Sequence, residues 1–274
     1  MLSKLLKYEF KSTARIFIPL YVVLLVFSLV GRLSLSRMMD GAPINPSFIA
    51  FYDLVVGVVM VGYVLVIFSV IIIGLVVVVQ RFYKNLTGRE GYLMHTLPVP
   101  THHLILSKLL VAAAWQLMGW VMMFLSVMLV VYQGETARSL QEFFQEASNP
   151  IVFVFRELGV DPTGFSLMMA LSMVISAFAG PLMIYAAIAL GQLFKKHRIV
   201  GAVGAYIALS MITNTISSVL TTGFNLTGTN LSTTAEMGFF LNGIMILSLV
   251  LQILMGVGYF FLTNYILSNH LNLE

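Results

Sequence analysis

Six long runs of apolar residues decide what this chain can fold into. A helix that crosses a lipid bilayer needs about 20 mostly apolar residues. Six segments meet that requirement, namely 16–35, 55–79, 109–131, 165–190, 199–220 and 238–262. Only 9% of the residues are charged, whereas an ordinary soluble domain carries about 25%. The sequence therefore predicts an all-α integral membrane protein, with six transmembrane helices in one domain that covers residues 1–274.

The distribution of basic residues predicts the orientation of these helices. With a cytoplasmic N-terminus, eleven of the 15 Lys and Arg residues lie on the inner side of the membrane. An excess of basic residues in short loops marks the cytoplasmic side. Since six spans return the chain to the side where it began, we expect a multi-pass plasma-membrane protein with both termini inside.

The first 15 residues form a basic and amphipathic segment ahead of the first span. Four apolar residues recur near helical spacing, while Lys4, Lys7 and Lys11 occupy other faces. This pattern is typical of a helix that lies on the inner leaflet with its lysines near anionic lipid headgroups. We therefore predict an interfacial helix over 1–15, with membrane lipid as a partner. The alternative is a plain basic flank without order of its own.

Residues that would support catalysis, metal binding or nucleotide binding are scarce. The chain has no cysteine, and the dipeptide Gly-Lys of a phosphate-binding loop does not occur. His95, His102 and His103 lie in one inner loop without a carboxylate at a suitable spacing. We therefore expect no catalytic, cofactor-binding or metal-binding residues, no nucleic-acid partner and no enzymatic activity of this chain's own.

The membrane segments carry few polar features. The middles of all six spans lack ionisable residues, which argues against an ion-coupled carrier. Gly180 and Pro181 interrupt the fourth span, and a proline removes one backbone donor and clashes with the preceding turn. These two residues are a candidate hinge, with a static kink as the alternative. Ser172 or Ser176 would then satisfy the carbonyl that the proline frees.

The inner loop 80–108 has the clearest local pattern of any loop. Thr87 and Glu90 have the spacing of a capping box, in which each side chain caps the backbone of the other at a helix start. Pro98 would end the short helix that follows. Its apolar stripe needs a partner surface, either lipid headgroups or a groove on a soluble protein. The stripe consists of Leu93, Met94 and Leu97.

The amino-acid sequence of this loop resembles that of a known protein family. The run Glu90-Gly-Tyr-Leu-Met-His-Thr-Leu-Pro-Val-Pro, followed by Leu104-Ile-Leu-Ser-Lys108, is similar to the inner loop of ABC-2 type ABC transporter permeases. Lys-Tyr-Glu-Phe at 7–10 also resembles the start of these permeases. We therefore expect this chain to be a bacterial protein. The six spans and the missing ATPase domain match in layout across the whole chain.

The resemblance implies a transport subunit that a separate chain powers. Two ATPase subunits, which would hold ATP and Mg²⁺, would pair with two permeases, either two copies of this chain or one copy and a paralogue. The segment between spans two and three would be a coupling helix that docks in a cleft of the ATPase. Its residues would be Glu90, Gly91, Tyr92, Leu93, Met94, Leu97 and Pro98.

Other functions fit the same layout. A passive or ion-coupled carrier would also have six spans, and a sensory or structural membrane subunit could keep the loop without transporting anything. A membrane enzyme would need acids, histidines or serines at a coherent spacing, and the outer acids are scattered. For an exporter, the Met-rich and Phe-rich spans and the habit of the family favour a hydrophobic, peptide or lipid-like substrate.

Overall fold

Every described part of this chain is helical or a short connection between helices. The computed structural model describes residues 2–39, 46–87, 100–132, 142, 160–194, 196–227 and 234–269, and these contain no strand. The helices are α1 (Leu2–Met39), α2 (Pro46–Phe82), α3 (Thr101–Val131), α4 (Pro162–Gly191), α5 (Arg198–Thr227) and α6 (Thr234–Asn269). One π-helical turn, Tyr83–Thr87, extends α2.

The predicted number of membrane spans is confirmed. Among the described residues, six helices are long enough and apolar enough to cross a membrane, and each contains one of the predicted segments. Their surfaces carry many large apolar side chains that a soluble protein would bury, such as Leu54, Phe68 and Leu167. The chain is therefore a multi-pass membrane protein. The N-in/C-in orientation stays a prediction.

The first helix differs from the expectation of a separate interfacial helix over 1–15. Helix α1 runs without a break from Leu2 to Met39 and contains both the amphipathic segment and the first span. The physical reason is local, because no Gly or Pro interrupts residues 2–18, and Pro19 lies inside the helix. Whether the first turns contact lipid headgroups stays a prediction.

The described residues fall into two compact units, and the first comprises Met1–Glu9, Val78–Ala114 and Pro150–Glu274. In this unit α4 packs against both α5 and α6, and α5 also contacts α6. Asp161 caps the start of α4, where its carboxylate accepts hydrogen bonds from the backbone N–H groups of Thr163 and Gly164 at 3.2 and 2.9 Å. The apolar core of the unit includes Tyr185 of α4, and this side chain is only 1% exposed.

The second unit comprises Phe10–Val77 and Trp115–Asn149 and is organised around Trp115. The indole stacks between the rings of Phe10 and Phe17, with centroids 4.7 and 4.8 Å away. The indole N–H donates to the Thr13 hydroxyl at 2.8 Å. The Tyr21 hydroxyl donates to the Trp115 carbonyl at 2.9 Å. About three turns of α1 are therefore fixed to α3 by stacking and by neutral hydrogen bonds.

Candidate functional site

The predicted coupling helix lies outside the described residues, but both of its stems are described. The entering stem is the end of α2 with the π-helical turn Tyr83–Thr87, and the leaving stem is the start of α3 from Thr101. The predicted docking residues 90–94, 97 and 98 fall between these stems, in the part of the chain about which the structure says nothing. The geometry of the stems therefore defines the base on which that segment is held.

Both stems are anchored in the apolar core of the first unit. Phe82 and Leu86 of the entering stem are fully buried, and their partners in the same core include residues of the leaving stem, α4 and α6. The Phe82 ring stacks on the Tyr185 ring with centroids 4.0 Å apart and planes 10° from parallel. The leaving stem contributes Leu104, Ile105 and Leu109.

Burial of this kind makes the stems rigid. Removing a fully buried Leu or Phe side chain from a packed core typically costs about 2–5 kcal/mol. The stems therefore cannot swing away from α4 and α6 without exposing apolar surface. A displacement applied to the loop would instead move the packed helices with it.

An ionic cluster joins the same stems to the first turns of α1. One carboxylate oxygen of Glu9 accepts a hydrogen bond from the Lys108 ammonium at 3.3 Å, and the Arg81 guanidinium lies 3.9 Å from the same oxygen. The Lys108 side chain is only 5% exposed, against 13% for Glu9 and 25% for Arg81. All three residues belong to the first unit.

The energetics of this cluster depend on Glu9. A buried ammonium has lost its water shell, and a neighbouring carboxylate restores part of the lost stabilisation. Taking one partner away from a buried pair typically costs about 3–5 kcal/mol, because the remaining charge is left in a poorly solvated site. Arg81, which is more exposed and lies at a longer distance, contributes less. Glu9 is thus the acid that holds α1 to the leaving stem.

The ionic and apolar contacts of the stems join parts of this chain to one another and form no catalytic arrangement. No group of three or more His, Cys, Asp or Glu side chains that could hold a metal ion occurs among the described residues. The adjacent rings of His102 and His103 lie 4.4 Å apart at the start of α3. The predicted absence of catalytic, cofactor and metal residues remains a prediction.

The candidate hinge lies within a continuous helix. Helix α4 runs unbroken through Gly180 and Pro181, and the Pro181 ring is buried. The expected role of the serines was wrong, because Ser172 and Ser176 donate to the carbonyls three residues earlier, those of Met169 and Met173. The carbonyl that a proline at 181 frees lies four residues earlier, at 177. The function of the pair as a hinge stays a prediction.

An open space of about 510 Å³ indents the first unit between α3, α4 and α6. Its lining is apolar apart from one amide, that of Gln252. We call this space the apolar recess. Its walls include Leu106, Phe178, Leu182, Gly256 and Phe260. A cavity of this size and character suits part of a hydrophobic molecule.

Sequence reasoning found the loop but missed the residues that anchor it. Glu9 lies 99 positions from Lys108 in the chain, so no local pattern pairs them. One signal was available, since Glu9 is the only acid among the first 15 residues, which also hold Lys4, Lys7, Lys11 and Arg15. A lone acid in a basic segment is a candidate partner for a distant cation. Tyr185 offered no comparable signal.

Comparisons with known proteins found no relative of this chain. No protein-family model matches the chain, and neither the curated proteins nor the solved structures contain a significant match to it.

Proposed function

We propose that this chain is the membrane-spanning permease subunit of an ATP-driven transporter and that a separate ATPase docks on residues 90–98. The observation that carries the proposal is the anchoring of both loop stems, through buried Phe82 and Leu86 on one side and Leu104 and Ile105 on the other. The resemblance of residues 90–100 to the inner loop of ABC-2 permeases names the partner.

The mechanism requires a loop that transmits force. ATP binding closes two ATPase subunits on each other, and the docked segment moves with its ATPase. A floppy loop would absorb that displacement, whereas stems packed in a close-packed core pass it to the helices they belong to. Here those helices are α2 and α3, and the packing of the stems on Tyr185 extends the effect to α4.

A pair of permeases completes the transporter. Each copy would receive force from one ATPase, and the pathway would form between the two copies. Closure and opening of the ATPases would then expose the pathway alternately to the two sides of the membrane. The second permease is either another copy of this chain or a paralogue.

The substrate in this proposal is hydrophobic, peptide-like or lipid-like. The apolar recess supports it, because a space of about 510 Å³ with an apolar surface accepts a hydrophobic group. Large apolar side chains cover the helices around it. Export of such a molecule from the inner leaflet fits these surfaces, whereas a highly charged substrate does not.

Affinity isolation from the native host tests the proposal. The tagged chain, extracted in mild detergent, should bring down a soluble P-loop ATPase. The double variant Leu93→Asp and Leu97→Asp should lose that ATPase while remaining folded, since two carboxylates cannot enter an apolar cleft.

A matched control places one carboxylate at the C-terminal end of α3, the end opposite to the leaving stem. Tyr132→Asp adds a charge at an exposed position just after α3 and should keep the ATPase. If the loop variant stays folded and retains its ATPase, the docking segment is wrong. If no ATPase accompanies the wild-type chain, the permease proposal itself fails.

A further inference from the structure

The first turns of α1 lie beside both stems of the inner loop, and Glu9 makes an ionic connection to both of them. Glu9 is the acid at the centre of the ionic cluster, 3.3 Å from Lys108 on the leaving stem and 3.9 Å from Arg81 on the entering stem. We propose that Glu9 is a positioning residue that makes the start of α1 and the two stems move as one body. This inference rests on the proposed function only where it concerns ATP.

The direction of the Glu9 side chain distinguishes it from its neighbours. Lys4, Lys7 and Lys11 recur at helical spacing and are exposed, so they share the outer face of α1. Glu9 lies on the other side of that helix and is mostly buried against the stems. The start of α1 therefore places these three lysines outward and Glu9 toward the core.

The burial of Lys108 gives this contact its selectivity. An exposed ion pair would contribute little and would exchange readily with water and salt. Lys108 is 95% covered, and the ammonium of such a residue needs a carboxylate at a defined place. A buried pair of this kind fixes register between the elements that it joins, which is the role we assign to Glu9.

The apolar contact between α1 and the stems is weaker than the packing within the core. Leu5 of α1 is only partly buried and packs on the outside of the core cluster that contains Phe82, Leu104 and Ile105. A single partly buried side chain does not interlock with its neighbours as core residues do, so it does not fix the register of α1 by itself. An ionic contact with a distance requirement does not slide. Loss of Glu9 should therefore loosen α1 against the stems while the apolar contact persists.

The predicted consequence for transport is specific. When the ATPase displaces the loop, the first turns of α1 follow, because Glu9 holds them to both stems. Without the carboxylate, the ATPase would still bind its docking segment, but α1 would no longer follow the stems. Glu9 thus acts through Lys108 and Arg81 and touches neither ATPase nor substrate.

Spin-label distances test the connection directly, and the absence of cysteine from the natural chain makes labelling clean. Labels at Lys4→Cys and His102→Cys occupy two exposed positions of the first unit, one on α1 and one on the leaving stem. With Glu9 present, we expect one narrow distance distribution, unchanged when ATP is added to the complex with its ATPase. With Glu9→Gln, we expect the single narrow distribution to be lost.

Two further variants separate positioning from general damage. Glu142→Gln makes the same chemical change at an exposed glutamate and should leave the distribution narrow. Glu9→Leu with Lys108→Met removes both charges, so this chain should fold but give a broad distribution, whether Glu9→Gln alone folds or not. A narrow, wild-type distribution in Glu9→Gln overturns the inference, and so does the double variant if its distribution is narrow or if it fails to fold.

The two proposals fail in different ways. If no ATPase accompanies the chain, the permease function is lost, yet the distributions without ATP still decide the role of Glu9. If the ATPase binds and the distributions do not depend on Glu9, the permease function stands and the positioning role is lost.

Discussion

Two of the polar networks among the described residues hold helices together with different chemistry. The network around Glu9 in the first unit is ionic, and its members Arg81 and Lys108 lie just beyond the ends of predicted spans. The network around Trp115 in the second unit is neutral and lies mostly within spans. The difference follows from the bilayer, because a charge in hydrocarbon costs far more than a hydroxyl or an indole that finds a partner.

The position of each network in the membrane decides how much it can contribute to stability. Ionic contacts near the helix ends can fix register strongly, since water and headgroups lie close enough to moderate the cost of charge. Neutral contacts inside the spans add little individually, about 0.6 kcal/mol each on average between membrane helices. Loss of a charged partner should therefore be the most damaging single change, and loss of a neutral hydroxyl the least.

Glu9→Ala should have the largest effect. It removes the carboxylate 3.3 Å from buried Lys108, and we expect a loss of about 3–5 kcal/mol in unfolding free energy. Thermal unfolding in detergent, followed by tryptophan fluorescence, measures it. Glu9→Leu with Lys108→Met removes both charges and should recover most of the stability. A Glu9→Ala chain as stable as the wild type would show that the cluster is hydrated and contributes little.

Trp115→Phe should have an intermediate effect. The aromatic stack between Phe10 and Phe17 can persist, but the hydrogen bond to the Thr13 hydroxyl is lost. We expect a cost of about 1–1.5 kcal/mol, because the smaller ring loses packing in the stack in addition to the hydrogen bond. The same unfolding assay, read by circular dichroism, tests this value. A cost equal to that of Glu9→Ala would remove the distinction between the two networks.

Tyr63→Phe should have the smallest effect. The Tyr63 hydroxyl shares a hydrogen bond of 2.9 Å with the Ser126 hydroxyl, and Ser126 can turn to a backbone carbonyl once Tyr63 loses its oxygen. We expect a cost of about 0.6 kcal/mol, close to the average for such bonds in membranes. Tyr132→Phe, at an exposed position, is the matched control and should change nothing measurable.

The six spans were predictable because their signal is local. Twenty apolar residues in sequence suffice to predict a membrane helix, and the structure places a helix over each predicted segment. The ends of α1 were not predictable in the same way. The charge pattern of residues 1–15 indicated a change of environment, but nothing in those residues breaks a helix.

The candidate site was only partly predictable, because its contacts are distant in sequence. The short helix predicted in the loop 80–108 follows from caps, prolines and an apolar stripe, all of them local features, whereas its docking role is implied by the resemblance and stays a prediction. The pairing of Glu9 with Lys108 and the stacking of Phe82 on Tyr185 join residues 99 and about 100 positions apart. Only the packing of whole helices brings such residues together.

Photo-crosslinking of the loop tests the central claim, that an ATPase docks between the anchored stems. A photoreactive amino acid at position 93 or 97 should form a covalent adduct with a P-loop ATPase in native membranes. The same amino acid at position 132, at the far end of α3, should not. If positions 93 and 97 give no ATPase adduct, or if position 132 gives as much as they do, this loop is not where an ATPase docks.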